Sequence, residues 1–150
     1  MGSTRPVDLF LTHAWRNHAD WLEMVRLLDS APGRKWRNFS LPWYDPALDP
    51  NTELGGRTVR DGLERQVIPA TAVIFLRGVY AVPSSRKWLD LEVDYARRHG
   101  KPVIAVPSLR DPGGPADDPP GSVDANCRWD AADILATVDR LAAMAAPDRR

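Results

Sequence analysis

Disulfide chemistry is closed to this chain: of its 150 residues only Cys127 is a cysteine, so no internal bridge can form. Net charge is missing too, since 20 basic residues balance 20 acidic ones, leaving no field to draw nucleic acid or an anionic membrane surface. No apolar run is long enough to span a bilayer, and "MGSTRPVDLF" has no long apolar signal region, so a cytoplasmic protein is expected. The histidines at 13, 18 and 99 and the lone cysteine lack metal-ligand spacing, and no metal site is expected. There is no glycine-rich P-loop and no G-x-G-x-x-G after the first apolar run, which argues against an NTPase or a dehydrogenase that holds its dinucleotide in the usual way. G-x-S-x-G is absent as well.

What is present has the size and balance of one globular unit. Hydrophobic residues make up 43% and charged residues 27%, so 1–150 is read as a single domain with a real core. Six tryptophans and 14 prolines exceed what a plain helical bundle uses. They gather in apparent loops such as "LPWYDPALDP" and "RDPGGPADDPPG", the latter read as a mobile connection over about 109–123.

Between the loops, elements alternate. "VDLFLTH" reads as a strand; "NHADWLEMVRLLDS" reads as a helix capped at Asn17, with Trp21, Leu22, Val25 and Leu28 at helical spacing. "NFSLPW" is a strand candidate ending at Pro42, and "TELGGRTVRDGLERQVIP" a helix with Val59, Leu63 and Val67 on one face. "ATAVIFLRGVY" and "KPVIAVPS" are buried strands flanking a helix over "SSRKWLDLEVDYARRHG", which Ser85 would cap and Gly100 would stop. A short strand near "ANCRW" precedes a closing helix, "DAADILATVDRLAAMAA", capped by Asp130 with Ile134, Leu135, Val138 and Leu141 inward. Strands alternating with helices imply right-handed crossovers and a parallel sheet. The expected fold is α/β, a flavodoxin-like three-layer sandwich with five strands in order 2-1-3-4-5. Ligands in such sheets sit beyond the carboxyl ends of the strands, near the switch between the first and third.

One residue breaks the pattern. Trp88, Glu92 and Ala96 form one helical row and Leu89 and Val93 the next, so Glu92 is flanked by residues that face a core, whereas Asp90, Asp94 and Arg97 take the wet side. A carboxylate taken out of water needs a partner or a function. A structural partner such as Arg16 or Arg77, or a helix rotated enough to wet the group, answers as well as a reactive role. Around it, Trp15, Tyr80 and Trp88 offer flat surfaces for a nucleobase or nicotinamide, and Thr12 and His13 offer hydrogen bonds to ribose or phosphate; the plainer reading has Trp15 capping the core and His13 solvated. "WYDP", with Asp45 before Pro46, is a turn that falls in the expected crevice. A phosphoacceptor of the receiver kind is excluded, because the third strand ends in "FLRGVY" without a carboxylate.

These residues resemble a family. "VDLFLTHAW" is similar to the opening strand of TIR domains, and "WLDLEVDYA" to the helix carrying the catalytic glutamate of NAD-consuming members. Together with "FSLPWYDP", they resemble more narrowly the TIR-like proteins of the bacterial Thoeris antiphage system, along nearly the whole chain. The resemblance implies an enzyme, NAD nucleosidase and ADP-ribosyl cyclase, that cleaves the nicotinamide–ribose bond and makes a cyclic ADP-ribose isomer or related second messenger. It implies NAD as substrate with no cofactor, Glu92 as the catalytic residue, and Thr12, His13, Trp15, Asp45, Tyr80, Ser85 and Trp88 as substrate-binding. It also implies self-association on activation, a phage protein as trigger, and a separate effector reached through the nucleotide product. Arg86 stands where the family often has a serine, with Ser84 and Ser85 just before it, and the second box of animal adaptor TIR domains is not recognisable in "LPWYDPALDP". A non-catalytic TIR-like interaction module is the alternative, and a nucleoside 2-deoxyribosyltransferase on the same sheet is a third.

Overall fold

Two apolar runs with no polar interruption set the middle of the protein. In the computed structural model, which describes residues 6–13, 18–40, 53–110 and 123–145, they form β3 (Ala72–Leu76) and β4 (Val103–Val106), every residue buried. A strand covered on both faces has no reason to alternate apolar with polar residues. β1 (Val7–Leu11) lies on the other side of β3, with Leu9 opposite Ala72 and Leu11 opposite Ile74. The edges are the short strands β2 (Trp36–Asn38), beside β1, and β5 (Ala125–Asn126), beside β4. All pairings are parallel and the order is β2-β1-β3-β4-β5, as expected from the alternation of elements.

The chain moves one way from β1 to β2 and the other way thereafter, and right-handed crossovers in opposite directions put their helices on opposite faces. α1 (Ala19–Asp29) therefore covers one face, and α2 (Glu53–Val67) and α4 (Arg86–Arg98) the other. α2 and α4 pack together, and the His99 ring meets the Glu64 carboxylate at 2.9 Å between them. A short helix, α3 (Arg77–Tyr80), and a 3₁₀ turn at Pro83–Ser85 link β3 to α4. The last helix, α5 (Ala131–Ala145), is capped as expected by Asp130, whose Oδ1 accepts from Ala132 N at 2.9 Å. Arg34, just before β2, ties α5 in through a two-pronged bond to Asp139.

Several local expectations are corrected. His18 caps α1, its Nδ1 accepting from Asp20 N at 3.0 Å; Asn17 lies outside the described residues. The inward stripe of α1 is Trp21, Met24 and Leu28, while Leu22 is 44% exposed, because the helix begins at Ala19 and is rotated away from the expected row. β2 ends at Asn38, two residues after Trp36, earlier than a strand reaching Pro42. β3 stops at Leu76, where the backbone turns into α3 in place of an extended strand to Tyr80. Ser85 occupies the N-cap position of α4, but its backbone is helical and its hydroxyl makes no capping bond, since the 3₁₀ turn already feeds the helix. Val59, Leu63 and Val67 are wholly buried as their spacing requires. Gly100 ends α4 at φ +68°, with Lys101 N on Ala96 O and Gly100 N on Arg97 O, the paired bonds of a left-handed helix stop. Most of the connection expected to be mobile lies outside the described residues. Among those described, no helix is long and apolar enough to cross a membrane.

One close approach joins α1 to the carboxyl end of the sheet. Asp20 is 2% exposed and its Oδ2 accepts from Leu109 N at 3.2 Å. A Cβ on Gly78 would stand 1.9 Å from that oxygen. Gly78→Ala is therefore expected to cost about 1–3 kcal/mol in urea unfolding, as overpacking does. In an Asp20→Ala background the same change should cost clearly less, and equal costs in both backgrounds would show that the two residues do not compete for this space.

Candidate functional site

The end of β1 builds the site. Thr12 is stitched to β3 twice: its N–H donates to Ile74 O at 3.0 Å, and its Oγ1 accepts from Leu76 N at 2.9 Å. With its hydroxyl so engaged and no exposed surface, Thr12 holds the strand end in place. The next residue turns to the α2–α4 face. His13 N donates to Glu92 Oε1 at 3.1 Å, across 79 residues of sequence. Glu92 is 0% exposed, so the helix does place a carboxylate inside the core face and is not rotated to wet it.

His13 is 1% exposed and is not solvated. Its Nε2 lies 3.1 Å from Gln66 Oε1, its ring packs 5.3 Å from the Phe10 ring, and Nδ1 has no hydrogen-bond partner. Burial drives its pKa down from 6.5 to about 4, with the Gln66 bond partly opposing. The ring is neutral at physiological pH, so it supplies Glu92 with no counter-charge.

The aromatic residues divide. Trp88, one turn before Glu92, is 6% exposed, with the Lys87 ammonium 5.1 Å from its ring centroid. Tyr80 belongs elsewhere: its hydroxyl donates to Asp90 Oδ1 at 2.9 Å, and its ring sits 5.0 Å from Phe75 with the Arg86 guanidinium 4.7 Å above it. Asp90 and Glu92 are two residues apart on α4 and so project about 160° from each other, which puts Tyr80 on the far side of the helix from the glutamate. Ser85 is 8% exposed, its N–H bonded to Val82 O. Trp15 and Asp45 lie outside the described residues, as does Arg16. Arg77 donates from Nη2 to Asn126 Oδ1 at 2.9 Å, toward the β5 edge.

The structure thus brings Thr12, His13, Trp88 and Glu92 to the carboxyl end of β1 and β3, where the strand order switches. Gln66 joins them and was not singled out from the sequence. Its only signal there is its place in "LERQVIP", three residues after Leu63 and beside Val67 of the buried stripe, where a polar side chain borders the core. Among the described residues, no group of three or more His, Cys, Asp or Glu could hold a metal ion. A cleft of about 680 Å³ near the start of β2 is lined by Leu28, Asp29, Gly33, Arg34, Lys35 and Trp36. It lies at the amino end of the sheet; Trp36 Nε1 bonds Asp29, and the terminal nitrogens of Arg34 bond Asp139.

Chemically, a wholly buried carboxylate that accepts from a main-chain amide is, when ionised, a negative charge in a low-dielectric place. It suits a reaction that develops positive charge nearby. Compared with protein-family models and with curated protein sequences, the chain matches none.

Proposed function

We propose that this protein is a TIR-like enzyme that cleaves the nicotinamide–ribose bond of NAD with Glu92 as its catalytic residue. The observation that carries the reading is the wholly buried Glu92 carboxylate, gripped by the His13 amide at the switch point of a 2-1-3-4-5 sheet. The resemblance of "VDLFLTHAW" and "WLDLEVDYA" to TIR segments supplies the substrate class.

In NAD the nicotinamide nitrogen is cationic, so heterolysis of the glycosidic bond sends the bonding pair to nitrogen and releases a neutral base. No general acid is required, which accounts for a single carboxylate where ordinary glycosidases use two. The ribose left behind carries oxocarbenium character, which the Glu92 carboxylate stabilises. Attack by water gives ADP-ribose. Attack by a hydroxyl or ring nitrogen of the same molecule gives a cyclic ADP-ribose isomer, and loss of one proton to solvent balances either step. Exclusion of water favours the cyclic product. The biological setting proposed is antiphage defence in the cytoplasm: a phage protein triggers self-association, and the nucleotide product activates a separate effector. NAD is substrate, and no cofactor is needed.

The test is nicotinamide release from NAD by the purified protein, with the nucleotide product read by mass spectrometry and a panel of nucleosides run in parallel. Turnover of NAD and not of nucleosides is the expected result. Turnover of nucleosides alone would make the protein an N-glycosidase of the deoxyribosyltransferase kind.

The completeness of the burial favours a second reading. At 0% exposure Glu92 serves equally as an internal acceptor for the His13 amide, and the chain is then a non-catalytic TIR-like assembly module. Intact NAD after incubation of the assembled protein would select it.

A further inference from the structure

Thr12 and His13 are fixed from two directions. Thr12 is bonded to β3 through both its amide and its hydroxyl, while the His13 ring reaches the other way, to Gln66 in the last turn of α2. The turn that carries Gln66 is itself closed, with Ile68 N on Glu64 O and Ala70 N on Val67 O. With Oε1 of Gln66 as acceptor, the ring proton sits on Nε2 and the partnerless Nδ1 is a bare lone pair. Among the described residues nothing else bonds the ring. Residue 13 is therefore the middle of a chain of two hydrogen bonds, Gln66 to the ring and the main-chain N–H to Glu92, that spans from α2 to α4.

The chain has a mechanical consequence. His13 lies two residues past the last residue of β1, beyond the sheet's own pairing, and Thr12 restrains only the peptide before it. Turning the ring about Cα–Cβ leaves the amide in place, but displacing the residue to find a new ring partner does not. On the reading that Glu92 is the reactive carboxylate, we infer that Gln66 is a positioning residue: its side-chain oxygen holds His13 in one tautomer and place, and so keeps the residue 13 amide on Glu92 Oε1.

Two substitutions in the 150-residue chain test this. Gln66→Met keeps length and helix propensity but loses the acceptor; Gln66→Glu keeps an oxygen that accepts from Nε2–H. In the wild type, imidazole nitrogen shifts should report a proton on Nε2. In Gln66→Met the His13 amide should exchange with solvent about tenfold faster or more, while core amides of β3 and β4 keep their protection; Gln66→Glu should restore it. In the NAD assay, kcat of Gln66→Met should fall roughly tenfold with KM unchanged, the scale of outer partners that orient a reactive group, and Gln66→Glu should recover most of it. A wild-type ring protonated on Nδ1, or a Gln66→Met variant with unchanged His13 exchange, overturns the inference. A wild type that leaves NAD intact while Gln66→Met speeds His13 exchange overturns the assigned reaction and still supports the link from Gln66 to Glu92.

Discussion

Replacing Glu92 by glutamine is expected to lower nicotinamide release by about two to three orders of magnitude, the usual cost of removing one electrostatic stabiliser of a charged transition state. The exchange is close to isosteric. A glutamine oxygen still accepts the His13 N–H that now ends on Oε1, so the local scaffold is kept. What disappears is the negative charge, together with whatever pairing that charge makes at 0% exposure. Activity should fall while the variant still unfolds cooperatively. That combination separates the two proposed readings. A purely structural carboxylate would give a variant with unchanged behaviour in a defence assay, whereas a catalytic one gives a folded, inactive protein. Retained NAD turnover in Glu92→Gln would remove Glu92 from the reaction.

Stability should drop on mild acidification because of His13. Its pKa is 6.5 in the unfolded chain and about 4 when buried. Between those values the unfolded chain binds a proton that the folded one does not, so stability rises with pH through this window. The contribution is fully present above pH 6.5, is lost as pH falls toward about 4, and does not change further below it. The interval corresponds to roughly 3 kcal/mol. Carboxylates titrate in the lower part of the same range, so the measurement is a comparison: urea unfolding of wild type and His13→Phe at pH 7 and at about pH 4.5. The stability difference between the two proteins should shift toward the variant at the lower pH. A difference independent of pH would mean that His13 is free to ionise in the folded state.

The elements that were legible from residues alone are those in which a single periodicity leaves no choice. "AVIFL" and "VIAV" can only be buried strands of a covered parallel sheet, and Val59, Leu63 and Val67 can only be one helical face. Glu92 was legible as a carboxylate on an apolar row between Trp88 and Ala96, and its full burial, which a rotated helix would have undone, is a result of the packing. β2 was misplaced because Trp36–Asn38 is a half-buried edge strand: its pairing with β1 is set by backbone register, and little of its apolar surface records that. The α1 cap was misplaced for a related reason. Histidine and asparagine can both accept from the first turn, and the choice depends on where the chain enters the helix. Tyr80 was grouped with the site because it follows β3, but α3 turns it to the opposite side of α4, onto Asp90.

By itself, then, the sequence determined the alternation of strand and helix, the parallel sheet that alternation implies, and the place of one glutamate on an apolar helical row. These depend on spacing along the chain, which the residues record directly. The tertiary structure alone decided which amide holds Glu92, that Gln66 holds the ring of the same residue, and that Asp20 and Gly78 share one space. Those contacts join residues between 53 and 79 positions apart, or depend on a missing side chain. A hydrogen bond or a steric gap at such separation is a property of how two elements lie against each other, and neither element's own pattern contains it.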